Sequence, residues 1–281
     1  MPKQYLIHLH NINLSLINQK FNELRKKGKF ALMPFLMAGD PSLDITYNIL
    51  LKLQEKGADF IELGIPYSDP LADGPIIQLS ASRALKSGTS IAQVLKLLKT
   101  LKGKLNIPVI LFTYFNPLLS FGFKRFCEIA SDVGAAGIII PDLPLEETTQ
   151  FSQIANNFNL DLILLIAPTT PLERMKMISS RTRGFTYLVS VTGVTGERNN
   201  LENRVENLIG KLKEISSTPI AVGFGISTPE HIIKVRHWGA DGVIIGSAFV
   251  KRISESKYSQ IVNELGEFCS EMRSAADKIL D

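Results

Sequence analysis

The sequence predicts a closed (β/α)8 barrel, the TIM-barrel class of α/β fold, with one extra helix ahead of it. Eight short apolar runs of the kind that form parallel strands covered on both faces alternate with stretches of helical periodicity. The junction "KGADFIEL" at Lys56 returns as "VGAAGIII" at Val133 and "WGADGVII" at Trp238. Each closes a helix at a glycine, which takes the left-handed conformation without steric cost, and starts a strand at once. An open doubly wound sheet is the alternative, but the Gly-x-Gly-x-x-Gly turn usual after its first strand is missing.

In chain order, the amphipathic segment 14–27 is expected to cap the bottom of the barrel. Residues 1–29 thus read as a capping segment and 30–281 as the barrel, together one domain. Strands are expected at 30–37, 60–64, 109–113, 137–140, 161–166, 185–190, 220–223 and 242–245. Helical periodicity marks 45–55, 91–101, 123–133, 201–215 and 229–237 between them, and 258–280 reads as the closing helix. Trp238, at a helix end, is expected to pack rather than to stack on a ligand.

Composition narrows the function classes. The formal charge of +4 comes from residues of both signs scattered along 281 positions, which leaves no nucleic-acid footprint and favours an anionic ligand only weakly. Cys127 and Cys269 have neither CxxC nor metal-ligand spacing and suit a reducing compartment. No apolar run approaches the roughly 20 residues of a membrane span. The expected location is the cytoplasm, or the plastid stroma if the gene is organellar.

The chemistry is expected where strands end, because barrels of this class build their sites from the loops there. In "FIELGIPYSDPLADGP", 60–75, Glu62 alternates with apolar Ile61 and Leu63, so its side chain can point into the barrel mouth. Asp73 follows on a proline-bounded loop. Two carboxylates in unlike surroundings hold different protonation states at neutral pH, which makes an acid/base pair. The competing expectations are a buried base paired with Glu62 and a helix cap role for Asp73. "GFGIS" at Gly223 and "IGSAFV" at Ile245 each set glycine and serine before a helix, after strands seven and eight, where bare N–H groups favour phosphate. "SVTGVTGERNN", 190–200, is long enough for a lid. The four histidines lie in the N-terminal segment and on the seventh helix, away from the mouth, and no lysine falls in a predicted strand. Neither a metal site nor a Schiff-base nucleophile is expected.

The blocks "PFLMAGDP", "FIELGIPYSDPLADGPIIQ", "TYFNP", "PDLP", "GFTYLVSVTGVTG", "GFGIS" and "GSAFVK" resemble, in order and nearly end to end, the tryptophan synthase alpha chain family. The resemblance implies a (β/α)8 lyase that cleaves indole-3-glycerol phosphate to indole and D-glyceraldehyde 3-phosphate without metal or organic cofactor. It makes Glu62 the proton-shuttling glutamate and Asp73 the carboxylate at the indole N–H. Phe35, Phe112 and Ile139 then surround the indole slot, and Tyr187 is an active-site tyrosine. Thr195 and Gly196 belong to a closing loop, while Gly223, Phe224, Gly225, Gly246 and Ser247 form the phosphate site. It also implies a beta-chain partner that carries pyridoxal phosphate, in an alpha2-beta2 tetramer, with Asp69 at the interface. Phe112 is bulkier than the leucine of some members, and the N-terminus is longer. A free-standing indole-3-glycerol phosphate lyase and a phosphosugar-binding barrel without catalysis are the alternatives.

Overall fold

The computed structural model describes residues 14–189, 198–223 and 225–278. The chain opens with α1 (Leu16–Lys26), β1 (Ala31–Met37), α2 (Leu43–Glu55) and β2 (Ile61–Gly64). Two helices follow, α3 (Pro75–Lys86) and α4 (Ile91–Leu101), then β3 (Val109–Phe112) and a second pair, α5 (Phe115–Phe121) and α6 (Phe123–Asp132). The repeat settles into single alternation with β4 (Ala135–Ile139), α7 (Thr148–Asn157), β5 (Asp161–Ile166), α8 (Leu172–Arg181), β6 (Thr186–Val189) and α9 (Arg198–Ile215). It ends with β7 (Ile220–Gly223), α10 (Pro229–His237), β8 (Gly242–Ile245), α11 (Ser247–Glu255) and α12 (Ile261–Ala276). The eight strands are parallel and close in sequence order, β8 returning to β1 through Ala31↔Gly242 and Pro34↔Ile245.

The three repeated junctions do what their glycines require: Gly57, Gly134 and Gly239 have φ of +94°, +94° and +88°. Along β1, alternate residues divide between two cores. Leu32 and Leu36 face the helices, while Met33, Phe35 and Met37 face the barrel interior with Phe60, Ile110, Phe185 and Tyr187. That alternation directs Glu62 inward, since its register partners are Phe35 on β1 and Ile110 on β3.

The fourth strand begins two residues before the expected 137. Gly137 is an interior residue: a Cβ there would stand 2.8 Å from the Asp161 carbonyl oxygen, so the glycine serves close strand approach rather than a boundary. The helix expected from 201 starts at Arg198, so 198–200 belong to α9 and not to the loop. Trp238 closes α10 and packs, half-buried, against the outer core.

α1 covers the N-terminal end of the barrel. Phe21 rests on Phe60 and Phe185, with ring centroids 4.9 and 5.9 Å apart, and Ile17 enters between the bare backbones of Gly137 and Gly184. Ser15, which caps α1, donates to the Asp161 carboxylate at 2.5 Å, and Arg183 Nε donates to the other oxygen at 3.2 Å. Among the described residues no helix is long and apolar enough to cross a membrane.

Candidate active site

At the opposite end of the barrel, the C-terminal ends of β1, β2, β3, β6, β7 and β8 surround a cavity of about 40 Å³. Its walls are Phe35, Glu62, Asp73, Ile77, Phe112, Tyr187, Gly225, Ile226, Ile244, Gly246 and Ser247. A larger groove of about 380 Å³ runs between α8 and α9, but its walls contain no carboxylate, so acid/base chemistry belongs to the barrel mouth.

Glu62 is 2% exposed, and its Oε2 has no hydrogen-bond partner among the described residues. Burial, and then the neighbouring Asp73, push its pKa up to about 8. No cation is paired with its carboxylate among the described residues, so the buried-base alternative finds no partner there. Asp73 precedes Gly74, and Gly74 is the N-cap of α3, with no side-chain hydrogen bond to the helix. The cap role is therefore absent. Burial raises Asp73 to about 6, and a hydrogen bond from the Tyr114 hydroxyl opposes the rise.

Tyr114 was not among the expected site residues. It is 3% exposed and caps α5, and its hydroxyl accepts the Ala72 N–H at 3.1 Å while donating to Asp73. Its signal lay in "TYFNP": two residues beyond inward-facing Phe112, period-two alternation turns Tyr114 to the same side. Ile77, Ile226 and Ile244 were missed for a different reason, since apolar residues at a slot look like any other core residue.

The apolar side of the cavity is aromatic. Phe35 and Phe112 meet edge to face, centroids 5.7 Å apart at 86°, and Phe112 meets Tyr114 similarly at 6.3 Å. Gly64 admits Phe35, for a Cβ there would stand 2.8 Å from the ring. Ile139 belongs to the same inner cluster without lining the cavity. Gly223 also lies behind a wall: a Cβ on it would stand 2.4 Å from Tyr187. Burial, and then the fields of Glu62 and Asp73, drive the Tyr187 hydroxyl well above its usual range.

Next to Phe35, Gly246 is the N-cap of α11 and Ser247 its first residue, with no side chain bonded to the helix end. Gly225 has φ +77°. The first N–H groups of a helix have no partner within it, which favours an anion at this end of the cavity. Phe224, Thr195 and Gly196 lie outside the described residues, as does most of the 190–200 segment.

The family model for the tryptophan synthase alpha chain matches residues 21–277. The chain belongs to the tryptophan synthase alpha chain family. A tryptophan synthase alpha chain of Prochlorococcus marinus subsp. pastoris is 71% identical over 268 residues, covering 95% of this chain and 96% of that protein. One from Synechococcus elongatus is 50% identical over 265 residues, covering 94% and 98%. The crystal structure of tryptophan synthase subunit alpha from Legionella pneumophila superposes with a TM-score of 0.87 at 35% identity, covering 95% of this chain and all of that one. The chain is thus a carbon–carbon lyase of tryptophan biosynthesis that cleaves indole-3-glycerol phosphate to indole and D-glyceraldehyde 3-phosphate.

Proposed function

We propose that Glu62 and Asp73 carry this cleavage, with Glu62 acting first as acid and then as base. The observation that carries the assignment is two carboxyls lining one cavity in unlike surroundings, Glu62 with Oε2 unpartnered and Asp73 beside Tyr114, burial raising the first to about 8 and the second to about 6. Near neutral pH the first holds a proton and the second does not. Protonated Glu62 delivers its proton to indole C3, which leaves positive charge at the ring nitrogen. Ionised Asp73 accepts the ring N–H and stabilises that charge more strongly as it develops, so the interaction favours the transition state over the ground state. Glu62, now a carboxylate, takes the proton of the glycerol hydroxyl beside the scissile bond. The C–C electron pair returns to the ring, giving neutral indole and an aldehyde, and Glu62 is protonated again.

Phe35 and Phe112 hold the flat ring, with Ile139 supporting them, and Tyr187 contributes to the wall of the site. Gly223, Phe224, Gly225, Gly246 and Ser247 take the phosphate, and Thr195 and Gly196 belong to the loop that closes over it. The chain works as a single catalytic domain without a cofactor of its own. Its partner is a beta chain carrying pyridoxal phosphate, in an alpha2-beta2 tetramer in the cytoplasm. The family membership supports that assembly, as does the likeness to a solved tryptophan synthase from M. tuberculosis, which superposes with a TM-score of 0.83 at 29% identity. Asp69 stands exposed on the β2–α3 loop, and its carboxylate has no partner among the described residues, as an interfacial ion-pair member requires. Steady-state indole release by Glu62→Gln and Asp73→Asn tests the assignment: either variant retaining more than about a tenth of wild-type kcat removes that residue from its role.

A further inference from the structure

Asp40 lies in the turn after β1, and its side chain is wholly shielded from solvent. Arg83 Nε and Nη2 donate to its two oxygens at 2.8 and 2.6 Å, and Ser80 Oγ donates to the second. Both donors are on α3. Ile77, a wall of the cavity, lies on the same buried stripe of that helix, one turn before Ser80. The turn is itself locked. Gly39 has φ +84°, its N–H is bonded to Thr46 Oγ1, its carbonyl accepts from Ser87 Oγ, and Thr89 fills the space a Cβ would need.

At its other end α3 grips Asp73. Gln78 Nε2 donates to the Asp73 carbonyl at 2.8 Å, and the N–H groups of Ile77 and Gln78 both reach the Gly74 carbonyl at 3.0 Å. No side chain caps this helix end, so α3 depends on its packing against β1 and α11 and on the Asp40 pair for its place. Asp40 is buried, so its Arg83 partner is held more firmly than in an exposed pair, and its loss would leave one charge uncompensated.

We propose that Asp40 is a positioning residue for the lyase reaction: through Ser80 and Arg83 it fixes α3, and α3 fixes the Asp73 carboxylate beside Tyr114 and opposite Glu62. Asp40 touches neither the cavity nor the reacting atoms. The proposal rests on Asp73 serving at the indole nitrogen, and a double-mutant cycle separates the two claims. Indole release is measured from pH 5 to 9 for wild type, Asp40→Asn, Asp73→Asn and the double variant, with thermal melting of each. Asp40→Asn is expected to lower kcat by roughly tenfold to a hundredfold, as sub-ångström to ångström misplacement does. KM should stay within about threefold, because the phosphate end is untouched. The acid limb of its pH profile moves to lower pH, as Asp73 gains water. In the Asp73→Asn background the Asp40 substitution costs little more. Multiplicative losses, or an unmoved acid limb with activity following the folded fraction, would overturn the proposal. A wild-type-like Asp73→Asn would instead overturn the reading of Asp73. If Asp40→Asn fails to fold, Ser80→Ala, which keeps the ion pair, is expected to shift the limb the same way by less, and no shift refutes the link.

Discussion

The Tyr114 hydroxyl donates to the Asp73 carboxylate and opposes the rise that burial gives it. Burial raises both acids; the neighbouring Asp73 raises Glu62 further, to about 8, while Asp73, opposed by the Tyr114 hydrogen bond, stops at about 6. The rate should therefore rise as pH passes about 6, where Asp73 ionises, and fall as it passes about 8, where Glu62 loses the proton due to indole C3. These apparent values belong to the coupled pair. A kcat/KM profile from pH 4.5 to 9.5 checks this, and a profile with a single limb would contradict the two-acid mechanism.

Tyr114→Phe keeps the ring and removes the donor. Without it the charged form of Asp73 is less stable, so its pKa rises and the acid limb moves to higher pH. At pH 6 the variant is expected to lose about tenfold in rate, and near pH 8 much less, since a single hydrogen bond to a charged group is worth about 1.5–3 kcal/mol. A limb that stays in place would show that the phenol is packing only.

Glu62→Gln should abolish indole release, by roughly a thousandfold or more, because one residue serves as both acid and base. The same change should stabilise the fold. A carboxyl whose folded pKa is raised destabilises the native state progressively as pH climbs from its ordinary 4.5 to about 8, and an amide does not. The melting temperature of the variant should match wild type near pH 4 and exceed it by roughly 5 °C or more at pH 8. Equal melting at pH 8 would mean that Glu62 is better solvated than its 2% exposure indicates.

Gly225→Asp tests the phosphate end. Aspartate is among the side chains that best tolerate left-handed backbone, so the φ of +77° is a lesser obstacle than the new charge. KM should rise by roughly tenfold or more as the carboxylate repels the phosphate, with kcat less affected. An unchanged KM would locate the phosphate elsewhere.

Asp69→Ala, assayed with and without a tryptophan synthase beta chain, tests the interface. Basal activity should survive and most of the partner's activation should disappear, because docking is expected to order the β2–α3 loop and bring Asp73 over the ring. Full activation of the variant defeats the assignment.

Strand positions were legible because each carries a short apolar run, several of them opened by a turn glycine, and only Gly137 misled, as an interior glycine that resembles a boundary. Glu62 was legible for the opposite reason, as one charge in a run that otherwise excludes charge. Asp73 was ambiguous in sequence, since Asp-Gly-Pro before a helix also writes a cap, and only the N-cap geometry at Gly74 separates the two. The Asp40–Arg83 pair was invisible: its members are 43 residues apart, on elements whose adjacency follows from barrel closure and not from any local pattern. Tyr114 fell between these cases, with the right alternation but no charge to mark it.

The plug made by Ser15, Ile17 and Phe21 turns the barrel into a vessel with one mouth. Among the described residues the floor is filled, Ile17 occupying the space left by two glycines and Phe21 packing on the rings of Phe60 and Phe185. The cavity lies at the strand ends, beside the β2–α3 loop on which exposed Asp69 stands. A protein docked there commands the traffic in both directions, so it can hold a small, membrane-permeant product without any gate inside the barrel itself.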